Sequence, residues 1–414
     1  MLNFELLREI YHSIQQNKVR TILSGFGISW GILILVILLG TGGGFQKAVM
    51  NIFNVFAQKS IYVYGNTTSQ KYQHIKEGQI IRFDENYLEI TRNHFPEITA
   101  ISPEVSSSQL VLNKDKSGVF KITGVESDYM QIRILPTGEG RLFNKSDMEK
   151  ERDVAIIGKS VESNLFGHKT ALNKHIQIGG SYFRVIGILK NDNIFSASEI
   201  NSIYIPYSSY RRTINNNPEF SSFCLCLSQD ADTKLFEDKL RNYIAHKSQF
   251  SIDDKQAVYI ANFETQTSAF ESLFKTIRVF IWIVGICFLI SGVVGICNIM
   301  FVVIKERTNE IGIRLAVGAQ PRSIISLILL ESIFITTISG LMGLIVGKGF
   351  LLIIDWLLSI GNDNMLMEKT TLNTTTALAA LVVLIIAGVI AGAFPAIKAS
   401  NIEPVDAIRY ENRG

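Results

Sequence analysis

The residues of this chain that are spaced for catalysis stand where that chemistry has nothing to act on. Gly158-Lys159-Ser160 follows a strand-like run and opens a helix, as the end of a phosphate-binding loop does, but Asp153 stands where that loop needs another glycine. A turn so poor in glycine cannot wrap a phosphate. Gly27-Ile28-Ser29-Trp30-Gly31 has the spacing of a nucleophile elbow, which works only at a strained strand-to-helix turn. Here it lies inside a long apolar run that predicts a helix. The six histidines show no HExxH spacing, and His168 and His175 are isolated, so no metal is expected. Cys287 and Cys297 lie in an apolar run, while Cys224 and Cys226 are two apart in a strand-like stretch, on one face and poorly placed to bridge each other. All four cysteines are read as small packing residues. No catalytic constellation emerges, and the chain is expected not to be an enzyme by itself.

The charged residues that do carry information are few. In the stretch Ile304-Lys305-Glu306-Arg307-Thr308-Asn309-Glu310-Ile311-Gly312-Ile313-Arg314-Leu315-Ala316-Val317-Gly318-Ala319-Gln320-Pro321-Arg322, Glu310 and Arg314 are spaced i,i+4 with the acid first, the better order for a helical pair. Gly318 can end that helix, and Pro321 suits the first turn of the next. Ile311, Leu315, Ala316 and Ala319 give the short helix an apolar edge. Two readings stay open at this point, a helix lying on the lipid headgroups and a helix fitting a groove on a cytoplasmic partner. Glu331 lies about 15 Å along the next helix from Pro321, deep enough to be costly unless paired or hydrated. It is either a polar contact between spans that shifts during function or a static, locally hydrated carboxylate. Lys348 is read as snorkelling outward.

These residues are positioned by membrane spans. The chain has 414 residues, 47% of them hydrophobic and 19% charged, too apolar for an ordinary soluble protein and too charged for one buried wholly in lipid. Its net charge of +3 gives no argument for nucleic-acid binding, and none is expected. No charge occurs between Arg20 and Lys47, between Arg278 and Lys305, or between Lys369 and Lys398, and a fourth apolar run after Arg322 is broken only by Glu331 and Lys348. Each run exceeds the roughly 20 residues that a helix needs to cross the hydrocarbon layer. The first run is too long for a signal core and lacks a cleavage pattern after it, so it is predicted to remain in the membrane. Arg8, Lys18 and Arg20, then Lys305 to Arg322, then Lys398, Arg409 and Arg413 flank the spans on one side. The loop between the third and fourth spans is mostly acidic, and the positive-inside rule places both termini and the 305–322 loop in the cytoplasm.

The predicted organisation is a cytoplasmic amphipathic segment over 1–20, spans over 21–46, 277–304, 323–353 and 372–395, and an extracytoplasmic domain with its stalk over 47–276. A cytoplasmic loop over 305–322, a short outer loop over 354–371 and a cytoplasmic tail over 396–414 complete it. Helical spacing of Phe270, Leu273, Phe274 and Ile277 predicts that the helix of the second span begins near Phe263, ahead of the span itself, and runs to Ile304, about 63 Å and roughly twice the bilayer core. The surplus would form a rigid stalk, with the region from Phe45 to Phe56 as its partner. Glycines four apart, Gly27 and Gly31, Gly343 and Gly347, Gly388 and Gly392, suggest close helix packing or dimerisation.

Between Ile61 and Asn262, strand patterns at Ile61–Tyr64, Val119–Val125, Asp153–Ile157, His175–Ile178, Tyr182–Leu189, Ile203–Ile205, Phe223–Leu227 and Ala257–Ile260 alternate with helical ones. Gly179-Gly180 reads as a hairpin turn. Asp84–His94, Ser160–Phe166 and Thr233–His246 read as helices, the last with an Asp232 cap and Leu235, Phe236, Leu240, Tyr243 and Ile244 on one face. The fold class is therefore a four-span α-helical membrane domain plus an α+β extracytoplasmic domain, read as two lobes on a helical stalk.

Glu306-Arg307-Thr308-x-Glu310-Ile311-Gly312-Ile313-Arg314-x-Ala316-Val317-Gly318-Ala319 resembles the signature of MacB/FtsX-type ABC-transporter permeases. A second stretch, Pro395-Ala396-x-x-Ala399-x-x-x-x-Pro404-Val405-x-Ala407-Ile408-Arg409-Tyr410-Glu411, resembles the motif that closes such chains. Arg20-Thr21, Gly40-x-Gly42, Gly124-Val125, Gly140-Arg141-x-Phe143, Leu165-Phe166-Gly167 and Ile203-Tyr204-Ile205-Pro206 extend the likeness across the chain, the outer stretches as in a MacB-like periplasmic core domain.

The resemblance implies a dimer of four-span subunits, with a second copy or a paralogue, in the bacterial inner membrane. It implies a coupling role for Glu306, Arg307, Glu310, Ile311, Gly312, Arg314, Gly318 and Ala319 on an ABC ATPase subunit that binds ATP and magnesium on its own chain. Pro395, Ala399, Pro404, Ala407, Arg409 and Glu411 carry the C-terminal family motif. The implied function is mechanical transmission of ATP hydrolysis to the outer domain, in efflux of peptides, antibiotics or toxic amphiphiles. A periplasmic adaptor and an outer-membrane channel are further partners the family implies, and membrane lipid surrounds the spans. Release of lipoproteins and control of a cell-wall hydrolase are alternatives within the family. A ligand-binding membrane sensor is the alternative of another class, and it conflicts with the shortness of every cytoplasmic segment.

Overall fold

The computed structural model describes residues 18–54, 56–72, 74, 76–135, 137–167, 169–190, 197–360 and 374–401. Most of the 1–20 segment, most of the 354–371 loop, His168, and the tail with Pro404, Ala407, Arg409 and Glu411 lie outside them. The chain divides into two compact units, one made of residues up to Ala48 and from Leu273 onward, the other of Val49–Ser272.

In the first unit, helices over Lys18–Phe53, Phe263–Glu306, Pro321–Ile360 and Thr374–Ser400 contain the four stretches long and apolar enough to cross a membrane among the described residues. They extend past the expected spans, and the last continues through Pro395 to Ser400. The helix that begins at Phe263 is unbroken to Glu306, as the spacing of its aromatic residues predicts. Of the expected apolar seam only Phe274 is buried; Phe270, Leu273 and Ile277 are exposed. Phe274 meets Phe45 at 5.9 Å, and Arg278 donates to Gln46 at 2.7 Å, so the first two spans pair as expected.

Lipid is as apolar as leucine, so these spans gain by close packing, and the glycines permit it. A Cβ on Gly343 would come within 2.5 Å of the Ser29 carbonyl oxygen, and one on Gly292 within 3.0 Å of the Ile28 nitrogen. Gly388 and Gly392 face Thr336 and Ser332 in the same manner. All three glycine pairs thus face neighbouring spans of the same chain, where they allow close packing. Cys287 corrects the reading of the cysteines: it is exposed on the second span, while Cys224 is buried and Cys226 and Cys297 half-buried, all of them free.

The second unit holds a ten-stranded sheet ordered β10-β1-β9-β2-β3-β8-β5-β7-β4, with β6 pairing β2 and β7. Its strands are β1 Ser60–Gly65, β2 Ile98–Asn113, β3 Lys116–Val125, β4 Thr137–Gly140, β5 Val154–Ile157, β6 His175–Ile178, β7 Ser181–Leu189, β8 Ser202–Pro206, β9 Ser222–Leu227 and β10 Val258–Asn262. Every strand expected from the sequence is present. β4 and the long β2 were not expected. β2 contains Pro103 and four serines, a weak strand pattern. It becomes a strand because it pairs with β9 up to Pro103 and with β3 from Glu104 on, so the proline falls where one ladder gives way to the other. β2 is thus shared between two ladders, its first part beside β9 and its second beside β3.

Gly179 and Gly180, at φ 55° and 91°, turn β6 into β7 with Ile178 opposite Ser181, the two-residue hairpin their types require. Asp84 caps the helix Glu85–His94 through the Tyr87 amide, and Asp232 caps Thr233–Lys247 through the Lys234 and Leu235 amides. On that second helix Phe236, Leu240 and Ile244 are buried, whereas Leu235 is 61% exposed, because the buried stripe is one residue wide at its start. Three apolar clusters fill the unit. One gathers Phe83, Phe223 and Leu240, another Ile122, Val161 and Phe183, and a third Tyr62, Val125 and Tyr204.

Candidate coupling site

The second span ends at Glu306, and a new helix runs from Thr308 to Ala316. Thr308 donates its hydroxyl back to the Ile304 carbonyl at 2.9 Å. The helix closes on Gly318, at φ 98°, with the Gly318 amide on the Leu315 carbonyl and the Ala319 amide on the Arg314 carbonyl. Those two bonds make a Schellman motif, and the left-handed φ is the reason a glycine stands there. Pro321 then opens the third span.

The short helix has two unlike faces. Ile311 and Gly312 are buried, and Ile311 joins a cluster with Ile304, Ile324 and Ile328 of the adjoining spans; Leu315 packs beside it. Val317 is 84% exposed and Ile313 51%. Glu310 and Arg314 lie on the exposed side, paired at 2.8 Å as their spacing predicts. The expected apolar edge is therefore corrected. Ile311 and Leu315 anchor the helix to its own chain, and Ile313, Ala316 and Val317 are the apolar residues left on the outside.

Glu331 is 5% exposed, and its Oε2 lies 3.6 Å from Arg307 Nη1. A carboxylate at that depth is tolerable only with a partner. Here the partner comes from the start of the short helix, a pairing nothing in the local sequence signals. Arg307, Glu310, Ile311, Arg314, Ala319 and Glu331 all line one pocket of about 120 Å³, with Ser323 and Ser326 among its polar groups. Glu306 is exposed beside it, and Gly312 and Gly318 shape the helix rather than the pocket. Pro395 and Ala399 are buried on the fourth span, where Phe394 meets Phe301 at 5.6 Å and Lys398 lies over the same ring.

The rejected motifs are occupied by other work. Lys159 pairs with Glu162 at 2.6 Å, and a Cβ on Gly158 would reach 2.0 Å from the Ile200 carbonyl, so that turn is filled by its own chain. Among the described residues no group of His, Cys, Asp or Glu is disposed to hold a metal ion. The outer stretches Gly140-Arg141-x-Phe143 have a structural cause: Gly140, at φ 82°, leaves no room for a Cβ beside the Ile186 carbonyl, and Arg141 bonds the buried Asp147 at 2.5 and 2.9 Å.

Residues 21–243 match the family described as MacB-like periplasmic core domain, and residues 282–404 that described as FtsX-like permease C-terminal. The chain is 26% identical over 409 residues to the macrolide export ATP-binding/permease protein MacB of Bdellovibrio bacteriovorus, covering 98% of this chain and 62% of that protein. It is 27% identical to the pyoverdine export ATP-binding/permease protein PvdT of Pseudomonas entomophila, covering 98% of this chain and 60% of that one. The chain thus spans about three-fifths of the length of these relatives. Among solved structures, the periplasmic region of MacB from Actinobacillus actinomycetemcomitans is similar at 19% identity and a TM-score of 0.43, over 54% of this chain and 98% of that one.

Proposed function

The chain belongs to the MacB/FtsX family of ABC-transporter permeases, and on that premise we propose that the helix Thr308–Ala316 receives movement from an ATP-hydrolysing partner chain and passes it to the outer domain. One observation carries the reading. The helix is anchored inward by Ile311, Gly312 and Leu315 and turns Ile313, Val317 and the Glu310–Arg314 pair outward, an apolar and charged face of the kind that seats in a partner's groove.

In this reading ATP and magnesium are bound by the partner, and this chain contributes no catalytic group. The 305–322 loop and both termini face the cytoplasm, the subunit works beside a second copy or a paralogue, and the outer domain handles cargo outside the membrane. Peptides, antibiotics or toxic amphiphiles are the cargo class we favour, since the relatives named above export a macrolide or pyoverdine. A periplasmic adaptor and an outer-membrane channel complete the route. Arg307 and Glu331 tie the receiving helix to the third span, and their contact is proposed to shift during the cycle.

The test uses Val317→Asp and Glu310→Lys, both on the exposed face, in the full chain reconstituted with its ATPase partner. Each should leave the permease folded and lower cargo-stimulated ATP hydrolysis about tenfold, the scale on which an interface contact is lost. Stimulation at the parental level in both would remove the coupling reading.

A further inference from the structure

The outer domain contains a buried cation that the proposed coupling does not itself require. Arg133 follows the short helix Tyr129–Ile132, and its side chain is 14% exposed. It is hydrogen-bonded to Glu199, 4% exposed, in the helical turn Ala197–Ile200 that leads into β8. Its guanidinium carbon also lies 4.5 Å from the centre of the Phe56 ring. Phe56 is three residues beyond the first long helix, bridged backbone to backbone with Arg133, and the next amide, of Ala57, donates to the Ile132 carbonyl at 2.9 Å.

The Phe56 ring reaches a further element. It stacks on Phe263, the first residue of the second long helix, at 3.7 Å between centroids and 17° between planes. Tyr62 of β1 meets both rings edge-on, at 5.4 and 5.3 Å, and Phe53 packs on Phe263 and Phe270. One guanidinium therefore touches the exit of the first helix directly and the start of the second through a single ring. Burying a charge is costly without a partner, and Glu199 supplies one. The ring contact adds a requirement that ammonium meets poorly, because only the planar guanidinium can bond a carboxylate and stack on a ring at once.

We propose that Arg133 is a positioning residue that fastens the ends of both long helices to the sheet of the outer domain through Phe56, so that movement of the helix ends is carried into the sheet. Its purpose rests on the coupling reading; its geometry does not.

The test is hydrogen–deuterium exchange on the full chain in lipid nanodiscs, comparing the parent with Arg133→Lys and Phe56→Leu. Lysine keeps the charge opposite Glu199 and gives up the stacking. Peptides covering 56–62 and 263–270 should exchange about tenfold faster in both variants while β5 and β7 keep parental protection. Unchanged exchange at 56–62 and 263–270 would overturn the proposal, and so would an equal rise across the whole sheet, the mark of a merely structural residue. The same variants are then assayed with the ATPase partner. Loosened helix ends with fully coupled ATP hydrolysis would overturn the claim that movement is carried through this tie, while the coupling reading is decided separately by Val317→Asp and Glu310→Lys.

Discussion

Two arginine–glutamate pairs, one in each unit, each hold a buried carboxylate, and the two are built differently. Arg133 and Glu199 are hydrogen-bonded, 14% and 4% exposed, with aromatic rings of Phe56 and Tyr62 close by. Arg307 and Glu331 are 3.6 Å apart, 26% and 7% exposed, beside a pocket with serine hydroxyls. The first arrangement suits a fixed tie, since exchanging partners would strand a charge among rings. The second leaves space and alternative polar partners, which a contact that changes during a cycle needs. The surroundings follow the same division. In the outer unit burial is driven by water leaving apolar surface, and carboxylates that go under, such as Asp147 and Asp254, are held by several donors. Between the spans that drive is absent, and glycines at Gly292 and Gly343 provide contact instead.

The largest effect is expected from separating the looser pair. Arg307→Met should cost about 3 kcal/mol by removing the cation that faces the buried Glu331 carboxylate, and Glu331→Gln added to it should restore most of that. Thermal unfolding of the four members of this cycle in detergent measures the coupling. A double variant as unstable as the single would mean that the two residues do not act as a pair, and the comparison with Arg133 and Glu199 would break.

A smaller loss is expected in the outer unit from Asp254→Ala, about 2 kcal/mol. The Asp254 carboxylate accepts from the Ser69 amide and hydroxyl at 2.7 and 2.8 Å and from the Gln70, Gln256 and Ala257 amides at 3.2 Å, and the variant leaves those donors without it. Burial alone would raise its carboxyl, but these bonds outweigh it and hold Asp254 below the usual value. Its contribution is therefore present above about pH 3.9 and is lost as the pH falls through the lower folded value. Urea unfolding at pH 7 and again at pH 3 should show the variant's deficit shrinking; a deficit unchanged by pH would show that carboxylate charge is not what holds the Ser69 turn.

The smallest effect has the opposite sign. Burial, with Glu85 and Asp128 adding to it, pushes the Glu126 carboxyl up to about 7. The folded state thus holds a proton more tightly than the unfolded one, so stability falls as pH rises from about 4.5 through 7. Glu126→Gln should match the parent at pH 4.5 and exceed it by about 1 kcal/mol at pH 8, allowing for the group's partial exposure. Parallel stability curves for the two proteins across that range would deny the outer unit this raised carboxyl.

Much of the architecture was legible before any coordinates, and for local reasons. The charge-free runs, the Gly179-Gly180 hairpin, the Asp84 and Asp232 caps and the Gly318 terminus each depend on residues within a few positions of one another. The short helix Thr308–Ala316 of the candidate site was legible likewise, through Glu310 and Arg314. Its orientation was not, because Ile311 and Ile313 are equally apolar and only the neighbouring spans decide which is covered. β2 escaped notice for a related cause: Pro103 and its serines argue against a strand until β9 and β3 supply the missing hydrogen bonds.

By itself, then, the amino-acid order determined which segments enter lipid, where helices begin and stop, and which family the loop resembles. These follow from transfer free energies and short-range backbone chemistry, which act along the chain. Only the tertiary structure decided the strand order, which face of each span is packed, and that Arg307 meets Glu331 and Arg133 meets Glu199 and Phe56. Those outcomes depend on partners far apart in sequence, and what brings them together is the simultaneous filling of space by every element at once.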